Sequence, residues 1–297
     1  MIMKCRKYLK QFIPPICYQV YNCLIKKTSK KPEISPLPIP EITNDKLIII
    51  GNGPSLNSTM EKYEKEVCSS ECLMVNEAAL TSLYDLIKPS IYMLVDPKYY
   101  LSMGYESYHE TLKSLVDVIV SKTDWTMKII MPRNAIGSYP VLRFKENVNI
   151  DVQFYENEWD SPDLMSKFET WDKNFVSPPA QTVLNTAVWL AIYWGYKETY
   201  IVGADTSWHT GLKMDQQTNE LYTIDTHYFN NKEIYGDLYD DKQKRRPIHK
   251  KIHEELLAEA TALSGYWDLR EYAEWKGVKV YNASEYSWID AFERKKL

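Results

Sequence analysis

A run of apolar residues followed at once by a glycine-rich loop constrains this chain more than any other stretch. The stretch is KLIIIGNGPSL, residues 46–56, and its apolar β-branched run predicts a buried central strand. Gly51 and Gly53 let the backbone turn sharply and come close to a ligand. Pro54 and Ser55 can then open a helix, whose first N–H groups bind anions, phosphate above all.

Two common phosphate motifs do not fit this loop. Leu56 stands where the dinucleotide fingerprint has its third glycine, and no Gly-Lys-Ser/Thr follows as in a P-loop. The alternative to a nucleotide-binding loop is an ordinary strand-to-helix turn, so the rest of the chain has to decide between them.

Strands and helices alternate along the body of the chain. Apolar runs predict strands at 46–50, 73–76, 91–96, 117–121, 127–131, 150–155, 199–205 and 278–282. Helices are predicted after the first strand to about Val67, at 77–88, 105–116 and 181–194, and at 248–275 with an interruption near Gly265. This alternation predicts an α/β fold: a Rossmann-like, mostly parallel sheet with helices on both faces. The pattern-poor residues 206–247 predict a lid-like insertion.

The N-terminal part differs in composition from the body. Residues 1–31 combine eight lysines and arginines with apolar and aromatic residues and contain no acid. Such a segment suits an anionic membrane surface, and the alternative is a helix packed on the body with a solvated basic rim. Residues 32–45 hold four prolines and predict an extended linker, which leaves 46–297 as a single catalytic domain.

Bulk composition excludes several protein classes. The formal net charge of −4 argues against a nucleic-acid-binding protein. Five cysteines, odd in number and sparse, indicate a reducing compartment. The chain has no run of 18 apolar residues and no signal-peptide pattern, so we expect neither a transmembrane helix nor export.

Polar side chains end most of the predicted strands. In open α/β sheets, ligands sit beyond the carboxyl ends of the strands. That rule collects one candidate set: Asn52, Asn76, Asp96, Asp205 and Asn282.

The loop GNGPSL after an apolar strand resembles the nucleotide-binding loop of bacterial sialyltransferases that use CMP-sialic acid and decorate lipooligosaccharides. It also resembles the related 6-hydroxymethylpterin diphosphokinase-like proteins of surface-polysaccharide clusters. The resemblance covers about 46–205 and, more loosely, 249–290. It implies nucleotide contacts from Gly51, Asn52, Gly53, Pro54, Ser55, Asn76, Asp96, Thr182, Asn185 and Asp205.

This chain departs from the family pattern at two of its positions. Asp96 stands where the family has Asn, and a carboxylate would repel a phosphate, so Asp96 is expected to meet a ribose or sugar hydroxyl. Val183 stands where the family has Ser, so the contact made by that residue is not expected here.

The resemblance also implies an inverting, metal-independent reaction with a histidine base that follows the lid and lid tyrosines that stabilise the leaving phosphate. Histidine suits the task because its ordinary pKa is near neutral. His253 and His227 are the candidate bases, with His249 third, while His209 is a candidate donor to phosphate. Lys250 and Lys251 separate His249 from His253 where a zinc motif needs a Glu, so no metal ligand is expected.

Together these features predict a glycosyltransferase that moves a sialic-acid-like (nonulosonate) sugar from a CMP donor to a bacterial surface glycan. Its partners would be the donor, a glycan or glycolipid acceptor and an anionic membrane surface bound by residues 1–31. It would need no further cofactor and would lie in the cytoplasm, peripheral on the inner membrane. The alternatives are pyrophosphate transfer from ATP to a pterin alcohol, and a nucleotide-binding protein without catalysis.

Overall fold

A computed structural model describes residues 36–101, 106–157, 166–174, 176–178, 180–224, 245–247 and 251–297. The chain divides after Ser35, and the description concerns the unit Pro36–Leu297. The predicted membrane-surface segment 1–31 therefore lies outside the described residues. In the linker, Leu37 is buried and its carbonyl accepts a hydrogen bond from the Tyr193 hydroxyl at 2.8 Å.

The strands are β1 (Lys46–Ile50), β2 (Glu71–Val75), β3 (Ile91–Met93), β4 (Met127–Pro132), β5 (Ile150–Tyr155), β6 (Glu198–Val202), β7 (Leu212–Met214), β8 (Leu221–Ile224), β9 (Arg245–Pro247), β10 (Lys279–Asn282) and β11 (Glu293–Arg294). The α-helices are α1 (Ser55–Ser69), α2 (Ser82–Ile87), α3 (Glu106–Lys122), α4 (Tyr139–Phe144), α5 (Lys167–Asp172), α6 (Val183–Trp194), α7 (Trp208–Gly211) and α8 (Ile252–Lys276).

Eight strands form one sheet in the order β11-β10-β6-β1-β2-β3-β4-β5, and every neighbouring pair is parallel. The side chains of β1 alternate between two cores, which explains why its whole run is apolar. Leu47 and Ile49 face the core that contains residues of α6 and α8, whereas Ile48 and Ile50 face the core that contains residues of α1 and α3. The predicted α/β class, with helices on both faces of a mostly parallel sheet, is confirmed.

Part of the predicted lid forms a second, three-stranded antiparallel sheet in the order β7-β8-β9. Residues 225–244 of that segment lie outside the described residues.

Three predicted elements are wrong in detail. Residues 117–121 are the last turns of α3 instead of a strand, because Leu115, Val116 and Ile119 bury at helical spacing. Helix α8 runs through Gly265 without interruption, and a Cβ atom at Gly265 would lie 3.3 Å from Nδ2 of Asn185 on α6. The predicted helix 77–88 is split at Thr81 into a 3₁₀ turn, Asn76–Leu80, and α2.

Candidate active site

The sheet changes winding direction between β1 and β6. From β1 the chain adds β2 to β5 on one side, and then it crosses back to place β6 on the other side of β1. In open α/β sheets ligands bind at such a switch point, and we call the region beyond the carboxyl ends of β1, β2 and β6 the crevice. The candidate residues at this point come from the Gly51–Ser55 loop and the Gly203–His209 segment.

The two glycines after β1 are required by the loop after β6. Gly51 N donates to Val202 O at 2.8 Å, and Gly53 N donates to Gly203 O at 2.7 Å. A Cβ atom at Gly53 would lie 2.4 Å from Oδ2 of Asp205, and one at Gly51 would lie 2.5 Å from Gly203 O. These glycines therefore permit a close approach between two parts of the protein, where the sequence predicts an approach to a ligand.

The N-terminus of α1 already holds an anion that belongs to the protein. Ser55 N donates to both carboxylate oxygens of Asp205, at 3.0 and 3.1 Å. The next two amides, those of Leu56 and Asn57, donate to carbonyl oxygens of Gly53 and Pro54. Asp205 thus occupies the position that the sequence predicts for a phosphate, and a nucleotide phosphate has to find its donors elsewhere.

The buried carboxyl of Asp205 links this contact to pH. Burial raises the pKa of Asp205 above its ordinary value of 3.8, and the hydrogen bonds from Ser55 oppose the rise. The native state therefore keeps this proton to a higher pH than the unfolded chain does. The stability that the protonated Asp205 carboxyl contributes is fully present below the pKa of Asp205 in the unfolded chain. It is lost as pH rises through the pKa of Asp205 in the native state.

We expect Asp205→Asn to remove this pH dependence, while its amide oxygen still accepts from Ser55 N. The free energy of unfolding of the variant minus that of the wild type should increase between about pH 3 and pH 7. Urea unfolding of both proteins across that range measures the difference, and other titrating groups cancel in it. A difference that stays constant or decreases with pH would contradict the raised pKa.

Two carboxamide side chains follow the neighbouring strands β1 and β2. Asn52 Nδ2 donates to Val75 O at 3.2 Å, which places it beside the residue that precedes Asn76. Asn76 has a left-handed backbone, with φ 55°, and its carbonyl accepts from the Tyr92 hydroxyl. The Oδ1 atoms of Asn52 and Asn76 are buried and have no hydrogen-bond partner among the described residues. The ends of β1 and β2 therefore hold two acceptor oxygens that lack a donor among the described residues, and a donor-bearing ligand would satisfy them.

Several other predicted site residues have structural partners. Asp96 is exposed and accepts from Lys98 N at 2.9 Å, which caps a 3₁₀ turn. Thr182 caps α6 by accepting from Asn185 N at 3.2 Å. Asn185 is buried and ties α6 to α8 through Nδ2, 3.2 Å from Ala262 O. Asn282 donates to Ile289 O at 2.9 Å and orders the loop after β10.

His209 is brought into a cluster that the sequence does not predict. It lies on α7, and its Nδ1 is 3.4 Å from Oε2 of Glu259 on α8. Its ring meets the ring of Trp288 edge to face, with centroids 4.3 Å apart. Trp288 N in turn donates to Asp205 O at 2.9 Å, so the cluster adjoins the crevice between β1 and β6.

Burial raises the pKa of Glu259, the Glu255 carboxylate adds to the rise, and a hydrogen bond from the His209 backbone N–H opposes it. Sequence reasoning missed Glu259, although one signal could have found it. Glu259 shares the buried face of α8 with Ala262, Tyr266 and Leu269, so it is an acid at an apolar-face position. Acids are rarely buried without a partner.

Of the predicted bases, His253 is within the described residues. His253 is exposed on the first turn of α8. His227 and His249 lie outside the described residues. Over the described ranges there is no group of three His, Cys, Asp or Glu side chains arranged to hold a metal ion. In the same residues, no helix is long and apolar enough to cross a membrane.

Comparison with known proteins identifies no family for this chain. No family model matches it, and no curated protein matches it. Among solved structures it is similar to MAf glycosyltransferase from Magnetospirillum magneticum AMB-1, with 14% identity and a TM-score of 0.49. The similarity covers 91% of this chain and 36% of that one, so this chain spans little more than a third of that protein's length.

Proposed function

We propose that this protein is a glycosyltransferase that moves a sialic-acid-like (nonulosonate) sugar from a CMP donor to a bacterial surface glycan. The observation that carries the proposal is the pair of buried, unpartnered carboxamide oxygens of Asn52 and Asn76 at the crevice. Such oxygens accept hydrogen bonds, so they suit the amino group of a cytosine or the hydroxyls of a ribose. They cannot donate a hydrogen bond to a phosphate oxygen.

The electrostatics of the crevice favour a nucleoside monophosphate over a triphosphate. The Asp205 carboxylate already occupies the donors at the start of α1. A second anion next to it is repelled, and the repulsion increases with the number of phosphates. A CMP-sugar carries one phosphate between nucleoside and sugar, whereas ATP carries three.

The reaction that fits such a donor is a single displacement. An acceptor hydroxyl attacks the anomeric carbon and loses its proton to a histidine, and CMP leaves with the electron pair of the broken bond. One displacement inverts the configuration, and a protonatable base assists without a metal. From the sequence, His253 and His227 are the proposed bases.

CMP should raise the melting temperature of the protein, and EDTA should not remove the effect. A ligand that binds only the folded state adds about 2.7 kcal/mol of stability at a hundred times its Kd. The measurement is a thermal-shift series with CMP, UDP, GDP and ATP, each with EDTA and with Mg²⁺. Stabilisation by ATP with Mg²⁺ alone would instead support pyrophosphate transfer to a pterin alcohol. If CMP stabilises the protein but the protein releases no CMP from a CMP-sugar, the result would support a nucleotide-binding protein without catalysis.

The proposal includes a membrane-bound acceptor. It is supported by the basic and apolar composition of residues 1–31, which suits an anionic lipid surface on the cytoplasmic side of the inner membrane. Co-sedimentation with anionic liposomes, with and without residues 1–31, tests this part. Equal binding by both proteins would contradict it.

A further inference from the structure

The pair formed by His209 and Glu259 is unusual because it is largely buried. The Glu259 side chain is 10% exposed and that of His209 is 28% exposed. Burying a carboxylate is costly unless a partner compensates for the lost water. The 3.4 Å approach of His209 Nδ1 to Glu259 Oε2 supplies that partner and orients the imidazole.

The other ring nitrogen of His209, Nε2, takes no part in the contact with Glu259. Nε2 is buried and has no hydrogen-bond partner among the described residues. With Nδ1 directed at a carboxylate, the neutral ring keeps its proton on Nδ1 and leaves the lone pair on Nε2. This is the arrangement that holds a histidine ready to accept a proton.

The His209 ring is in contact with a residue that also lines a cleft. The ring of Trp288 touches that of His209, and Trp288 also lines a cleft of about 380 Å³ formed by residues between Glu285 and Arg294. The Trp288 backbone contacts Asp205, which borders the proposed nucleotide crevice. Trp288 therefore connects the His209–Glu259 cluster both to this cleft and to Asp205.

We infer that His209, positioned by Glu259, is the base that takes the proton from the attacking acceptor hydroxyl. This rests on the proposed function and assigns its base to a residue other than His253 or His227. The hydroxyl proton moves to Nε2 as its oxygen bonds to the anomeric carbon, and the bond from that carbon to the phosphate oxygen breaks. CMP keeps the electron pair, and the imidazolium is balanced by the Glu259 carboxylate.

Two elements contribute groups next to the pair within the described residues. Glu255 and Glu259 come from α8, and Trp288 comes from the loop after β10. The 3.4 Å separation is long for a hydrogen bond, as is common in unliganded catalytic sites, where such contacts tighten on substrate binding.

The test compares His209→Gln, Glu259→Gln and a matched control, Glu274→Gln. Glu274 lies on the same helix, is exposed and pairs with Arg270 at 3.0 Å, so the control removes the same charge away from the cluster. The full-length chain is incubated with CMP-N-acetylneuraminic acid, with water as the acceptor, and CMP release is measured. CMP binding by thermal shift reports folding of every variant.

We expect His209→Gln to lower kcat at least about a hundredfold with CMP affinity nearly unchanged. Added imidazole should restore part of the turnover of His209→Gly, because it supplies the missing base. Glu259→Gln should lower kcat about tenfold and move the acid limb of the pH–rate profile to lower pH, since the imidazolium loses its counter-charge. A merely structural Glu259 would lower stability and leave that limb in place.

Two failures are distinguishable. If the wild type neither binds CMP nor releases it from the donor, the proposed function is wrong, and the base assignment is wrong with it. If the wild type turns over and His209→Gln keeps that turnover, the proposed function stands and the inference about His209 is wrong. His253→Ala and His227→Ala then show which of these two residues, if either, is the base.

Discussion

Replacing Asn76 by glycine should weaken CMP binding at least about tenfold while leaving the protein as stable as the wild type. Asn76 combines two properties, a left-handed backbone with φ 55° and a buried Oδ1 without a partner among the described residues. Glycine adopts that backbone at no steric cost, so the substitution removes only the carboxamide. Loss of one good hydrogen bond to a ligand costs about 1.4 kcal/mol, which is tenfold in Kd.

Asn76→Ala is the matched comparison. Alanine removes the same carboxamide but also resists the left-handed backbone, which costs roughly 1 kcal/mol in stability. Isothermal titration with CMP and urea unfolding separate the two effects. If Asn76→Gly bound CMP as tightly as the wild type, Asn76 would be present for its backbone alone, and the nucleotide would have to bind elsewhere.

The second large effect should come from Gly53→Ala. A Cβ there would lie 2.4 Å from Asp205 Oδ2 and 2.7 Å from Gly203 O, both of which are held in the buried contact between the loops after β1 and β6. One of these loops has to move, and the hydrogen bond from Ser55 N to Asp205 moves with it. We expect a loss of at least about 2 kcal/mol in the free energy of unfolding, together with loss of CMP stabilisation.

Gly137→Ala provides the control, because it separates backbone strain from steric overlap. Gly137 has φ 81°, but its added Cβ would meet no atom within 4 Å. That substitution should therefore cost only about 1 kcal/mol and should not change CMP binding. Urea unfolding measures both variants. If Gly53→Ala lowers the free energy of unfolding no more than Gly137→Ala does, the steric overlap at Gly53 adds no destabilisation.

Local pattern was enough to predict the central strand and the polar residues at the strand ends. The apolar run at 47–50 can only be buried on both faces, and that requirement places it at the centre of a covered parallel sheet. The same reasoning failed at 117–121, where valine and isoleucine have strand propensity but bury along one side of a helix. Packing against the sheet overrides propensity there.

The site was harder to predict because its contacts join distant parts of the chain. Ser55 and Asp205 are 150 residues apart, and no local pattern reveals that a carboxylate replaces the expected phosphate. The His209–Glu259 pair depends likewise on where α8 crosses the loop after β6. Asn185 has the residue type of a ligand contact, yet its amide is used to hold α6 against α8.

The contact between the loops after β1 and β6 also determines when the site can form during folding. Strand β1 is the first strand within the described residues, but one of its two neighbours, β6, begins only at Glu198. A nascent chain that ends before that residue leaves one edge of β1 unpaired and the start of α1 without its carboxylate. Strands so far apart in the sequence pair slowly, because closing the long chain between them costs conformational entropy before their contacts can form. The crevice is therefore among the last parts of the molecule to become native.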